Sequence, residues 1–361
     1  MTEPVRDLTE RYLAMQKAQS FVRYVIALAV SGGDPMAAVS VFRARWPNSK
    51  HIDVVERAAV GAGSTASGNW GGPLAPLSPL AAEFVELIRP RTVIGRLQGL
   101  RRVPFNVRFP TQTAGASVGW IAEGAPAQGG ALAFADTTFG KSKIGGFIVI
   151  TDELARSADP AAEMLIQRDL SNAIVAFSDQ AFLDPALAAV VDVSPASVTN
   201  GATDIESTGD TAEEVTADLK AAFAALAAAG IQMSDPYIVM KPTTALFLAG
   251  LENAAGVPAF PNVTVAGGSI WGVPVLTSAS VGDRIVVLDA AEILLAEGDL
   301  EVEASNQATV EMAAPVDSPP DASTVMTSLW QENLTGVMVR RYIRWQRRRA
   351  GATAFVSGVT F

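Results

Sequence analysis

Apolar positions recur at helical spacing through much of the first sixty residues. Leu8, Tyr12 and Leu13, then the run from Met15 to Val30, give one apolar helix. Ser31-Gly32-Gly33-Asp34-Pro35 breaks it. Asp34 stands where an N-cap belongs and Pro35 at the first position of a second helix, Met36 to about Arg45. Trp46-Pro47-Asn48 ends that helix, and Asp53 to Val60 reads as a third. Gly61 to Gly68, GAGSTASG, is a flexible linker by composition. Pro73, Pro76 and Pro79 follow, then a short helix from Leu80 to Ile88.

The period then changes. Val103, Phe105, Val107 and Phe109 alternate as in a strand, and Ile144 to Ile150 forms a second strand. Between them lies a polar stretch rich in alanine and glycine. Loops longer than about 12–15 residues are uncommon inside a compact domain. This one is too poor in large apolar residues to pack on its own core, and it needs a neighbour. Asp159-Pro160 opens a long helix to about Leu183, with Met164, Ile166, Leu170, Ile174 and Phe177 on its apolar face. At 1.5 Å per residue it is roughly 35 Å long.

Thr211 and Glu214 form a capping box, Val215, Leu219, Ala222, Phe223 and Leu226 an apolar stripe, and Gly230 a C-cap. Strands Tyr237 to Met240, Val273 to Leu276, Ile285 to Leu288 and Leu300 to Ala304 alternate with helices, among them one opened by Pro242. This predicts an α/β unit of roughly a hundred residues. Asn333 to Trp345 is a strand carrying arginines throughout.

Composition narrows the chemistry. The chain has 361 residues, 49% of them apolar, no cysteine and one histidine, His51. Disulfides and thiolate metal sites are excluded, and His-dependent nucleophiles are nearly so. No secretory signal or membrane span is evident, which predicts a soluble protein made in a cytoplasm. The net charge of −10 is uneven. Gly201 to Trp330 holds 18 acidic and 3 basic residues, and the rest 19 acidic and 24 basic. The two parts are expected either to face different surroundings or to differ only in that one carries a solvated acidic face.

Three motifs fail on context. Gly115-Ala-Ser117-Val-Gly119 fits the nucleophile elbow, but no helix follows it and no histidine lies downstream. Gly140-Lys141-Ser142 resembles the end of a phosphate-binding loop, yet Ala135 stands where glycine is required and a strand follows. Glu292, Glu297, Asp299, Glu301 and Glu303 lack the spacing of a calcium loop and read as a solvated face. Arg340, Arg341, Arg344, Arg347, Arg348 and Arg349 surround Tyr342 and Trp345. Two readings stand for them: phosphate contacts with stacked aromatics, or salt bridges between subunits on a strand whose alternate residues are buried.

From Leu80 to Phe355 the chain resembles, in order and without large gaps, the major capsid proteins of tailed bacteriophages. The residues carrying this are the Val103–Ile150 excursion, Thr151-Asp-Glu-Leu with the Asp159–Leu183 helix, Met240-Lys-Pro-Thr, Trp271-Gly-Val-Pro-Val275 and the Asn333–Trp345 strand. The resemblance implies an α+β fold of the Hong Kong 97 type. Its expected parts are a helical, scaffold-like extension (1–60), a linker and N-terminal arm (61–95), an extended β-hairpin loop (96–150), a peripheral domain with a spine helix (151–205), an α/β axial domain (206–315) and a return to the peripheral domain (316–361).

It further implies hexamers and pentamers closing into an icosahedral shell around double-stranded DNA, assembled in the bacterial host cytoplasm and carried in the virion. The implied partners are the subunit itself, a portal, a maturation protease, decoration proteins and DNA on the inner face. No membrane, cofactor, metal or catalytic residue is expected. Some relatives weld the shell by an isopeptide bond. Asn333 matches the asparagine of that bond, but the loop tip Ala122-Glu-Gly-Ala-Pro-Ala-Gln has no lysine and Arg340 stands where the glutamate belongs, so no crosslink is expected. Gly61–Gly68 is the expected place for removal of the extension. The rival readings are an encapsulin-type compartment or gene-transfer particle, more remotely a serine hydrolase using Ser117, and a soluble binding module.

Overall fold

A computed structural model describes residues 19–49, 85–86, 88–114, 133–156, 160–191, 193–312, 321 and 323–361. In chain order its main elements are α1 (Gln19–Val30), α2 (Pro35–Arg45), α3 (Val93–Arg96), β1 (Arg101–Arg102), β2 (Val107–Ala114), β3 (Ala133–Phe139), β4 (Lys143–Thr151), α4 (Asp152–Arg156) and α5 (Pro160–Leu183). There follow β5 (Thr203–Glu206), α6 (Ala212–Ala228), β6 (Pro236–Met240), α7 (Pro242–Gly250), β7 (Val263–Thr264), β8 (Gly267–Ile270), β9 (Val273–Thr277) and β10 (Arg284–Asp289). Last come β11 (Ile293–Ser305), β12 (Thr309–Glu311), β13 (Met326–Ser328), β14 (Leu334–Arg347) and β15 (Thr353–Ser357). Among the described residues no single helix is long and apolar enough to cross a membrane.

The chain divides into two compact units. The first takes residues up to Arg96, Ile144–Asp179 and Gly298–Tyr342; the second takes Leu97–Lys143, Gln180–Glu297 and Ile343–Phe361.

In the first unit α1 is the centre of the core. From Phe21 to Ala29 every residue except Arg23 is 4% exposed or less. A helix apolar all round is one buried all round. Its neighbours are Ile148 and Ile150 of β4, Val337 and Val339 of β14, Val302 of β11, Ile174 of α5, and Ala38 and Phe42 of α2. Burial of Phe21, Val22, Val25, Ile26 and Leu28, at ~1.5–3 kcal/mol each, contributes on the order of 10 kcal/mol.

The single charge on α1 is accommodated at its edge. The Arg23 guanidinium lies 5.6 Å from the Trp46 ring centroid, with Arg45 5.5 Å from the same ring. Asp34 caps α2 through its side chain and Pro35 opens the helix, as the spacing predicts. The helical extension expected over 1–60 is therefore, in its described part, built into the first unit. Residues 1–18 and 50–60, including the expected third helix, lie outside the described residues.

The second unit holds a seven-stranded sheet in the order β5-β15-β10-β6-β9-β8-β7. β5 with β15 and β6 with β9 pair parallel; the other described pairs are antiparallel. The parallel β6–β9 step requires a crossover, which α7 and the β7–β8 hairpin supply. Val215, Leu219 and Leu226 of α6 pack with Ile238, Met240, Ile285, Val287, Ala354 and Val356. The Thr211–Glu214 capping box forms as expected. Gly230 (φ 73°) closes the helix, with Ile231 N–H donating to the Leu226 carbonyl.

Two expectations change. Val103 and Phe105 are not strand. Pro104 offers no ladder donor, and the two side chains instead pack beside Phe139, Leu294 and Ala296. The segment 316–361 does not return as a whole to one domain: Thr353–Ser357 pairs with Arg284–Asp289 and Thr203–Glu206 inside the seven-stranded sheet.

Candidate functional site

The excursion between β1 and β4 is a hairpin stem. β2 and β3 pair antiparallel from Val107↔Phe139 to Ala114↔Ala133, with a bulge at Gln112/Ala114. They form a two-stranded sheet of their own. Such a ribbon is at best marginally stable in water unless something packs on it. Its root is fixed: Asn106, at φ 60°, donates its N–H to the Phe139 carbonyl at 2.7 Å, and the Arg344 guanidinium lies 5.8 Å from the centroid of the buried Phe139 ring. The tip, with Ser117 and its flanking glycines, lies outside the described residues, as does His51.

The other singled-out residues fall into ordinary structural places. Lys141 and Ser142 lead into β4, with no helix N-terminus after them. Ser142 is buried; its carbonyl accepts from Ile343 and its hydroxyl from Arg344. Asn333, at φ 52°, precedes β14 and accepts the Asp152 N–H through its carbonyl.

Of the acidic set expected as a solvated face, Glu301 and Glu303 are exposed, whereas Glu292 and Glu297 are largely covered. Glu292 faces Arg348 and Arg349 at 3.7 and 3.6 Å, and Glu297 faces Arg102 at 3.9 Å. Glu301 accepts from the Tyr342 hydroxyl, and Glu303 pairs with Arg340 at 3.0 Å. The Tyr342 hydroxyl is shifted upward by desolvation and then by Glu301. Among the described residues no group of three or more acidic or histidine side chains is placed to hold a metal ion.

Of the arginines of the β14 region, Arg340, Arg348 and Arg349 face these carboxylates. On β14 Thr335, Val337, Val339, Arg341, Ile343 and Trp345 are buried in alternation, so Arg341, 7% exposed, sits in a core row. Arg347 donates to the carbonyls of Asn200 and Ala350, and desolvation lowers its pKa. Arg349 also donates to the Gly230 carbonyl. These contacts within the chain lie along a strand whose alternate residues are buried, as the salt-bridge reading expects of it.

Two apolar surfaces escaped the sequence. Leu187, Val190, Val191 and Val193 are exposed on a short loop, Val191 by 84%. Hydrogen bonds tie the loop together: Val190 bridges Ser194, Ser197 N–H donates to the Leu187 carbonyl, and the Asn200 amide donates to the Pro185 carbonyl. In the first unit, Phe147, Ala304, Val310, Met326, Leu329 and Met338 line an open groove of about 350 Å³. Contiguous exposed apolar surface of this kind marks an interaction site more often than a catalytic one. The only sequence signal for the loop is the run Ala186–Val193 just after a helix end.

The phage capsid family matches this chain over residues 71–314. A capsid polyprotein of Pseudomonas phage PAJU2 is 36% identical over 359 residues, which is 95% of this chain and 54% of that protein. The chain thus spans about half the length of that relative. Among solved structures, one from Gordonia phage Cozz is similar with a TM-score of 0.52 at 16% identity, over 75% of this chain and 85% of that one. Another, from Mycobacterium phage Bobi, gives 0.51 at 19% identity, over 72% and 88%.

Proposed function

The chain belongs to the phage capsid family, with a fold of the Hong Kong 97 type, and from that premise we propose that it is the major capsid protein of a phage head. Copies associate into hexamers and pentamers and close into an icosahedral shell around double-stranded DNA. The observation that carries this reading is the match over residues 71–314, two thirds of the chain. The β2–β3 hairpin supports it. A ribbon that pairs only with itself among the described residues gains its stability by lying on another molecule, and in a shell that molecule is the next copy. The exposed apolar side chains of Leu187, Val190, Val191 and Val193 are suited to the same use, since covering them removes apolar surface from water.

Each such contact is modest, and many together make the shell stable. The second unit, with its seven-stranded sheet, is the axial domain in this reading. A portal, a maturation protease and decoration proteins complete the partner set, and DNA lies on the inner face. Contacts between copies are non-covalent in this reading, because the loop tip has no lysine and Arg340 stands where the glutamate of such a bond belongs. Denaturing gels of purified particles should show a monomer band and no ladder.

Negative-stain microscopy of the expressed chain tests the reading. Closed shells or capsomers are expected. A stable monomer under assembly conditions that favour related shells overturns it. Particles filled with an enzyme rather than DNA would replace it with a compartment.

A further inference from the structure

We infer that residues 19–46 are a permanent core element of the first unit, not a removable extension. Three independent features carry this. The first is burial. Phe21–Ala29 is enclosed on every side but Arg23, by side chains from β4, β11, β14, α2 and α5. A helix lying on a surface keeps a polar face opposite its apolar stripe, and α1 has none beyond Arg23.

The second is backbone fit. Gly33, at φ 92°, lies so close to β11 that a β-carbon built on it would sit 2.2 Å from the Ala304 carbonyl oxygen. The turn between α1 and α2 is thus seated against the strand, at a distance no other residue type allows. The third is the set of links at the far end of α2. The Arg45 guanidinium donates to the Arg156 carbonyl at 2.6 Å, and the Trp46 ring meets Phe42 in a tilted contact at 5.3 Å while receiving the Arg23 and Arg45 cations.

Removal of the pair would leave Ile148 and Ile150 of β4, Val302 of β11, and Val337 and Val339 of β14, neighbouring strands of a sheet in the order β11-β14-β4, facing water. The pair therefore stays on that sheet even when the chain is cut between it and the rest. The Gly61–Gly68 stretch, the part read as linker, is where such a cut is placed. This inference concerns the single subunit and does not depend on the shell reading.

The test uses the full chain with a site for a sequence-specific protease inserted within 61–68. After complete cutting, the two pieces are expected to co-elute on size exclusion in native buffer and to separate only in denaturant. Release of the N-terminal piece in native buffer overturns the proposal. A point variant gives a second reading. Val25→Asp in the uncut chain places a charge inside the core, and a fall in Tm of about 10 °C or more, or loss of soluble protein, is expected. Met36→Asp, on the exposed side of α2, is the control and should leave Tm within about 2 °C. A Val25→Asp chain that melts with the Met36→Asp chain also overturns it. If the pieces co-elute and no particle forms under any condition, the shell reading fails and this one stands.

Discussion

Gly33 and the carbonyl of Ala304 are in direct backbone contact: the space a β-carbon would take on Gly33 is already filled by that oxygen. Gly230 is a natural comparison, because it also has positive φ but nothing within 4 Å of its β-carbon position. Gly230→Ala meets only the left-handed strain, about 1 kcal/mol. Gly33→Ala meets that strain and a clash, and should cost roughly 3 kcal/mol or more. Urea unfolding of the two variants checks this. Equal costs would mean that the turn does not press on β11.

Trp345 shows how one side chain ties the chain end to a distant loop. Its indole N–H donates to the Ala196 carbonyl at 2.9 Å, and its ring meets Phe182 edge-on at 5.5 Å. Trp345→Phe keeps most of the apolar contact but leaves the carbonyl without this donor. The expected loss is about 1–3 kcal/mol, read as a lower urea midpoint at unchanged slope.

The helix ends were legible because their causes are local. Asp34-Pro35, Thr211 with Glu214, and Gly230 each act within one turn, and each appears where the spacing puts it. Position in the fold was less legible. The period of Met15–Val30 announces a helix, but whether it forms the core or an appendage depends on Ile150 and Val337, more than a hundred residues away. Thr353–Ser357 is too short to declare its partners, which lie near residues 205 and 286. The arginine run drew two readings from its residue types. Two of its partners within the chain, Glu292 and Glu303, were visible in sequence only as a separate acidic cluster, since pairing across strands has no local signature.

That pairing makes a prediction about DNA. An arginine that neutralises a phosphate contributes about one unit to the salt dependence of binding. Arg340, facing Glu303, and Arg348, facing Glu292, are already matched by carboxylates. Arg340→Gln and Arg348→Gln should therefore leave the salt slope of double-stranded DNA binding by the subunit unchanged. Their effect should fall on stability. A double-mutant cycle of Arg340 with Glu303 should give a coupling of about 0.2–1 kcal/mol that fades in 1 M salt. A slope reduced by about one per substitution would identify them as phosphate contacts.

Tyr24 gives the protein an alkaline sensitivity that starts in the core of the first unit. Burial on α1 raises its hydroxyl pKa from the ordinary 10.0 to about 12. The raised value means that the folded state holds the proton more tightly than the unfolded chain does. Below pH 10 both states are protonated, and the stabilisation is fully present. As the pH rises from 10 toward 12 the unfolded chain ionises first, and stability falls through that window. Two pKa units correspond to about 3 kcal/mol at the end of the window. Tyr24→Phe removes the ionisation, so its stability relative to the native sequence should rise between pH 10 and 12 and stay level between pH 7 and 9. Other groups also titrate there, which is why the difference between the two proteins, followed by urea unfolding at each pH, is the quantity to read. A flat difference would place Tyr24 in contact with water and would count against α1 as the centre of the core.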